Sequence, residues 1–367
     1  MRLPALLLVF ATAACASSGA PRPITISDGD ALARARALHE RIITIDTHDD
    51  IPLNFATAAV DPLNANRQVN LEKMRAGGLD VGFFIVYVGQ TPRTPENYDR
   101  AKTDAQTKFS AIHRMVQMYP DRIGLARSPD DVVRLAREGK LAAAIGIENG
   151  YVIGKDLALV ARYHSLGARY MTLAHGRHND ICDSATDQNP PEHSGMSAFG
   201  RQVVAEMNRV GMMVDISHVS RDCMMQATAA SKLPVIASHS SAKAVADHPR
   251  NLDDEQLRAI RQNGGVAQMV AFARYVKVGA TEPPATVADF VNHIDHAVRV
   301  AGIDHVGISS DFDGGGGVVG WRDASETMNV TAELIRRGYS DAQIEKLWSG
   351  NTLRVWRANE QGATAAP

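Results

Sequence analysis

The chain has 367 residues, 45% of them apolar, enough to bury a substantial core and within the length of a single α/β barrel. Thirty-nine basic and 41 acidic residues leave a formal charge of −2, with no basic block to follow a phosphate backbone, so nucleic acid is excluded as a partner. Three cysteines are too few for a disulfide framework.

Arg2, the short apolar run 3–14 and the small residues after it read as an export signal too short to span a bilayer permanently. Thr12-Ala13-Ala14-Cys15 resembles a bacterial lipobox. Residues 1–15 are therefore expected to be a lipoprotein-type signal that leaves a lipid-modified Cys15 on a membrane of the cell envelope, with plain cleavage and secretion as the alternative. Residues 16–29 read as a tether, 30–357 as one folded domain, and 358–367 as a flexible small-residue tail. Cys182 and Cys223 read as unpaired thiols.

Within the domain, apolar strand-like runs occupy 44–50, 81–88, 141–148, 168–175, 211–218, 233–239, 265–271 and 305–311. Helical spacing covers 30–41, 97–119, 130–138, 156–166, 199–210, 221–231, 253–263, 286–301, 324–337 and 341–347. Eight short strands alternating with helices predict a parallel sheet with right-handed crossovers, and eight strands close into a (β/α)₈ barrel of the TIM type. The long connection between the second and third strands is the expected place for a cap.

Such barrels put their active sites at the C-terminal ends of the strands. Here those ends carry His48 and Asp50, Glu148, His175, His218, His239 and Asp311. In the first strand, alternation points His48 and Asp50 one way and Asp49 the other. Ionisable groups converging on one rim are costly to bury unless a cation holds them. Imidazole with carboxylate suits Zn²⁺, and the donors outnumber what one tetrahedral zinc needs. Two ions fit better, with His48 and Asp50 on one, His218 and His239 on the other, and Glu148 bridging. Paired ions can hold a bridging hydroxide and polarise a carbonyl, which suits amide hydrolysis. Asp311 is placed to move the proton, His175 to stabilise the oxyanion, and Arg250 to fork a substrate carboxylate.

These residues sit in stretches that resemble the membrane dipeptidase (renal dipeptidase) family of binuclear zinc peptidases, a branch of the amidohydrolase-type barrels. The matching pieces are Ile45-Asp46-Thr47-His48-Asp49-Asp50, Gly146-Ile147-Glu148-Asn149-Gly150, Tyr170-Met171-Thr172-Leu173-Ala174-His175, the segment 211–220, Val235-Ile236-Ala237-Ser238-His239-Ser240-Ser241-Ala242, Arg250-Asn251 and Gly307-Ile308-Ser309-Ser310-Asp311-Phe312-Asp313-Gly314. The resemblance implies His48, Asp50, Glu148, His218 and His239 as ligands of two zinc ions, with Glu148 bridging. It implies substrate binding by His175 and Arg250, and Asp311 as catalytic acid/base. It further implies dipeptide cleavage with tolerance for a C-terminal D-residue, and a homodimer.

Other features read as structural. Asp313 is the weaker rival of Asp311, and His178 and His248 read as loop histidines. His293 and His296 read as surface residues of an outer helix, and the glycine run 314–317 as flexibility beside the site. The alternative function keeps the barrel and metals but acts on another amide, a lactone or a phosphoester. A non-catalytic metal- or peptide-binding envelope protein is disfavoured, because Asp311 accompanies all five ligands.

Overall fold

The computed structural model describes residues 23–279 and 284–364. The expected signal, Cys15 and residues 16–22 of the tether lie outside the described residues. The remainder of that tether is folded: the Ile24 N–H donates to the Arg336 carbonyl at 2.9 Å, and Ser27 caps a helix, Asp28–His39. The body therefore starts earlier than residue 30.

The strands are β1 (Ile45–Asp50), β2 (Val81–Tyr87), β3 (Ile123–Leu125), β4 (Leu141–Glu148), β5 (Ala168–Thr172), β6 (Met213–Asp215), β7 (Ile236–Ser240), β8 (Val266–Val270) and β9 (Val306–Ser309). All but β3 form one ordered sheet, β1-β2-β4-β5-β6-β7-β8-β9, and every pairing is parallel. Asp49 bridges Phe312 in parallel, and the Asp50 N–H donates to the Phe312 carbonyl at 2.9 Å, so the last strand meets the first. The result is a nearly closed (β/α)₈ barrel of the TIM type.

β3 is an addition to the expected eight. It has three residues, one of them glycine, and pairs only with the first residues of β4, Leu141–Ala143. It belongs to the long connection between β2 and β4, with the helices Pro95–Met118 and Pro129–Arg137. Helix starts follow polar caps: Ser128, Ser197, Ser220, Asp253 and Thr286 each accept from a backbone N–H one turn on, worth about 1 kcal/mol apiece.

Alternation explains what faces inward. Val81, Phe83 and Ile85 of β2, Ala142 and Ala144 of β4, and Tyr170, Met213, Ile236 and Val266 form one apolar cluster inside the ring. The same parity carries Tyr87 and Glu148 to its mouth. The opposite end is closed by Val355 and Trp356, which join that cluster, the Trp356 ring lying 5.5 Å from Phe83. They belong to a helix, Asn351–Gly362. Ordered structure thus continues past residue 357: Asn359 is fully buried and its amide donates to the Pro234 carbonyl at 2.8 Å. The expected flexible tail shrinks accordingly, and residues 365–367 lie outside the described residues.

Candidate metal centre and substrate pocket

Glu148, at the tip of β4, is the hub of the mouth. Its Oε2 lies 3.6 Å from His48 Nε2, and its Oε1 lies 3.0 Å from His218 Nε2, 3.4 Å from His239 Nε2 and 3.6 Å from His175 Nε2. His48 Nε2 is also 3.6 Å from Asp50 Oδ2 and 3.9 Å from Asp311 Oδ1. His218 Nε2 and His239 Nε2 are 2.6 Å apart. The seven residues expected at strand ends therefore meet in one place. Donor atoms also group as His48, Glu148 and His239; as Glu148, His175 and His218; and as His48, Asp50 and Asp311. His239 thus lies near His48 as well as near Glu148 and His218, and His175 and Asp311 border the donor set.

The ring orientations are fixed from behind. Tyr170 donates its hydroxyl to the Thr47 carbonyl at 2.8 Å, so it accepts from His48 Nδ1–H at 3.1 Å, and the lone pair of His48 is left on Nε2. Ser238 donates to Asp215 Oδ2 at 2.6 Å and accepts from His239 Nδ1–H at 2.8 Å, which leaves the same tautomer on His239. Tyr170 can cross the barrel only because residue 146 is glycine; a Cβ there would collide with the phenol ring. His218 and Asp311 hold positive φ, 67° and 59°, a conformation that costs non-glycine residues free energy and recurs at functional sites.

Electrostatics separates the carboxyls. Burial pushes Glu148 up, but the imidazoles of His175, His48, His218 and His239 overcome it and hold the group well below the carboxylate range. Burial raises Asp311 far above that range; His48 opposes the shift, while Asp50 and Glu148 reinforce it. Burial also drives His218 and His239 well below the usual imidazole value, keeping them neutral as ligands must be.

The residues fit a bound cation on a specific observation. His48 Nε2 is buried and has no hydrogen-bond partner among the described residues; burial lowers its pKa, but the carboxylates of Glu148 and Asp50, each 3.6 Å away, outweigh that and raise it well above the usual imidazole value, so the position favours positive charge. Beside it, Glu148 Oε1 and the Nε2 atoms of His218 and His239 crowd one another at 2.6 to 3.4 Å. Lone pairs so arranged repel unless cations or protons lie between them.

Above this centre lies a cavity of about 490 Å³, walled by Asp50, Tyr87, Glu148, His175, His218, Tyr275 and Asp311 among others. Arg250 stands behind the wall: it is 3% exposed, donates to the His239 carbonyl at 3.0 Å, and its guanidinium sits 5.3 Å from the Tyr275 ring. Its Nε has no partner among the described residues.

Other side chains take different places from those the sequence suggested. Asp313 accepts from the Gln68 and Val69 N–H groups at 3.0 and 3.1 Å and pairs with Arg67 at 3.3 Å, so it braces a loop. His293 is fully buried, receiving the Ala242 N–H at 3.0 Å and donating to the Val276 carbonyl at 3.0 Å. His296 pairs with Asp254 at 2.7 Å. The glycine run is packed: a Cβ on Gly314 would strike the carboxylates of Asp50 and Asp311, and one on Gly316 the Ser310 carbonyl. Tyr170, Ser238, Gly314 and Tyr275 were not singled out for the site by sequence reasoning; the motifs that contain Tyr170, Ser238 and Gly314 carried a signal, and Tyr275 had none.

Comparison with known proteins agrees with this geometry. The family model described as membrane dipeptidase (peptidase family M19) matches residues 32–367. Dipeptidase tcpJ of Claviceps purpurea (strain 20.1) is 38% identical over 302 residues, covering 81% of this chain and 70% of the relative. Dipeptidase verJ of Clonostachys rogersoniana is 35% identical, covering 90% and 88%. The crystal structure of the probable dipeptidase PvdM from Pseudomonas aeruginosa superposes with a TM-score of 0.88 at 32% identity, covering 91% of this chain and all of that one. A dipeptidase AC, a metallopeptidase of family M19, gives 0.79 at 26% identity, covering 88% and 99%. The chain belongs to the membrane dipeptidase family, peptidase family M19, and is a metal-dependent dipeptidase that hydrolyses peptide bonds.

Proposed function

We propose that this is a zinc dipeptidase of the cell envelope, holding two Zn²⁺ per chain through His48, Asp50, Glu148, His218 and His239 and cleaving both L-L and L-D dipeptides. The observation that carries the reading is the Glu148 carboxylate, whose two oxygens face His48 at 3.6 Å and His218 at 3.0 Å. When bound, such an ion pair supplies a hydroxide nucleophile at neutral pH and polarises the scissile carbonyl.

The remaining steps belong to the protein. Arg250 draws the free C-terminal carboxylate toward its end of the cavity; its charge is felt at His175, His218, Tyr275 and Asp311. A peptide longer by one residue would put a neutral amide there, which favours dipeptides. His175, 29% exposed at its side chain and beside Glu148, donates to the oxygen that gains charge as the carbonyl carbon becomes tetrahedral. Asp311, whose carboxylate burial makes a stronger base, takes the proton of the attacking water and, as the acid so formed, gives it to the leaving amine. A Cys15 lipid anchor and a homodimer complete the reading, resting on the lipobox and the family resemblance. Among the described residues no helix is long and apolar enough to cross a membrane.

The test combines metal analysis with a panel of L-L and L-D dipeptides, each also supplied with an amidated C-terminus. The expected result is two zinc ions per chain and turnover that amidation abolishes. Two bound zinc ions with no dipeptide cleaved would reject the reading, and unchanged turnover of the amides would reject the role of Arg250.

A further inference from the structure

The cavity contains a cation that the reaction above leaves without a task. Lys108 projects from the helix Pro95–Met118, is only 6% exposed, and lines the cavity with its ammonium 5.7 Å from the centre of the Tyr87 ring. Among the described residues it makes no ion pair. Its other cationic neighbour, Arg67, is already engaged, with the Asp50 carbonyl at 2.9 Å and Asp313 at 3.3 Å. A buried ammonium without a carboxylate partner is costly and seldom kept unless something occupies the place of that partner.

Three negative charges do act on it from a distance: those of Asp50 and Glu148 and, more weakly, that of Asp104 one turn back on its own helix. The first two are in the proposed zinc ligand set, so bound cations would offset their charge and leave only Asp104, which makes no ion pair with the ammonium, to balance it. Burial already lowers the Lys108 pKa, and the Arg67 charge lowers it further. An anion beside it would restore the charged form.

Position decides which part of a substrate can supply that anion. Lys108 stands over Tyr87 at the end of β2, while Arg250 follows β7 and holds the His239 carbonyl. In the ring order β1-β2-β4-β5-β6-β7-β8-β9, β2 and β7 are four steps apart, diametrically opposed across eight strands. With the C-terminal carboxylate drawn to Arg250 and the scissile bond over Glu148, the group that reaches Lys108 belongs to the N-terminal residue.

We propose that Lys108 forms a subsite for a carboxylate on the N-terminal side chain, so that dipeptides beginning with glutamate or aspartate are preferred over their amide counterparts. This rests on the dipeptidase reading for the orientation of the substrate. The cation over the Tyr87 face is held by the ring on one side and is open to the cavity on the other. Its straight four-carbon stem lets the ammonium follow side chains of either length.

The experiment uses the zinc-loaded protein and the pairs Glu-Ala with Gln-Ala and Asp-Ala with Asn-Ala. For each pair kcat/KM is measured in wild type, Lys108→Met and Lys108→Arg. A charge-assisted contact predicts a preference of about tenfold or more for the acidic member in wild type, carried mainly by KM. The preference disappears in Lys108→Met, which keeps the stem and drops the charge, and returns at least in part in Lys108→Arg. An acid-to-amide ratio near one in wild type, or one that Lys108→Met leaves intact, overturns the proposal. Calorimetric titration of the same dipeptides into the same proteins separates the two readings. If nothing is cleaved, the dipeptidase reading falls, while tighter binding of the acidic member that depends on Lys108 still supports the subsite and equal binding overturns it.

Discussion

His39 and His48 are nine residues apart and both are buried, His39 ending the helix that precedes β1 and His48 lying near the C-terminal end of β1. At the closed end, His39 Nδ1–H donates to the Gly78 carbonyl at 3.0 Å, and Nε2 receives the Thr331 hydroxyl at 2.7 Å. Both nitrogens are satisfied, and Trp348 packs edge-on against the ring. At the mouth, His48 has Nδ1 bonded to Tyr170 and Nε2 bonded to nothing. Equal burial with unequal hydrogen bonding separates a histidine that serves the fold from one that waits for a ligand. The same contrast runs through the whole barrel. The floor is mainly apolar, and the mouth combines an orphaned imidazole nitrogen, crowded carboxylates and positive φ.

If this division is right, changes at the mouth remove activity and spare stability. The sharpest case is Asp311→Asn. Asparagine tolerates the left-handed backbone at φ 59°, and it removes a buried charge that Asp50 and Glu148 oppose. We expect both zinc ions to stay, the melting temperature to hold or rise, and kcat to fall by about 10³-fold because proton transfer is lost. Retained turnover would move the acid/base role to another residue. Lost zinc would make Asp311 a ligand.

The floor should behave in the opposite way. Trp356 is fully buried against Phe83 beneath the inner cluster, and no atom of it borders the cavity. Trp356→Ala is expected to cost about 3–5 kcal/mol in a urea unfolding experiment, with kcat per folded molecule within about twofold of wild type. A large drop in kcat at temperatures where the variant is fully folded would show that floor and mouth are coupled.

How much of this division the sequence carried depends on what each residue's neighbours reveal. Strand ends were readable, because an apolar run of period two that stops at His, Glu or Asp is a local pattern. Tyr170 was not, since a tyrosine in mid-strand reads as core and its reach to His48 depends on a glycine in another strand. Lys108 was hidden for a similar reason: among the polar residues of a long helix it reads as solvated, and only packing against β2 buries it. The Asn351–Gly362 helix was missed because its sequence is mostly polar and a π-turn, Lys346–Gly350, interrupts the pattern before it. The glycine run misled in the other direction. Small residues signal flexibility when exposed, but here they let backbone and carboxylates approach closely.

The finest test concerns the histidine that serves the fold. Burial lowers the His39 pKa from 6.5 to about 4, partly offset by the Gly78 carbonyl. A depressed value means that the unfolded chain binds the proton more readily, so between those two pH values stability rises with pH. The contribution is complete above pH 6.5 and vanishes as pH falls toward 4, a swing of about 3 kcal/mol. His39→Gln removes the titrating group, while mouth histidines titrate alike in both proteins and cancel in the difference. Urea unfolding of metal-stripped wild type and variant at several pH values from 7 to 4.5 should therefore show the wild-type advantage shrinking with acid. An advantage that is constant across that range would mean His39 is protonated in the fold, and the Thr331 hydroxyl would then be its acceptor rather than its donor.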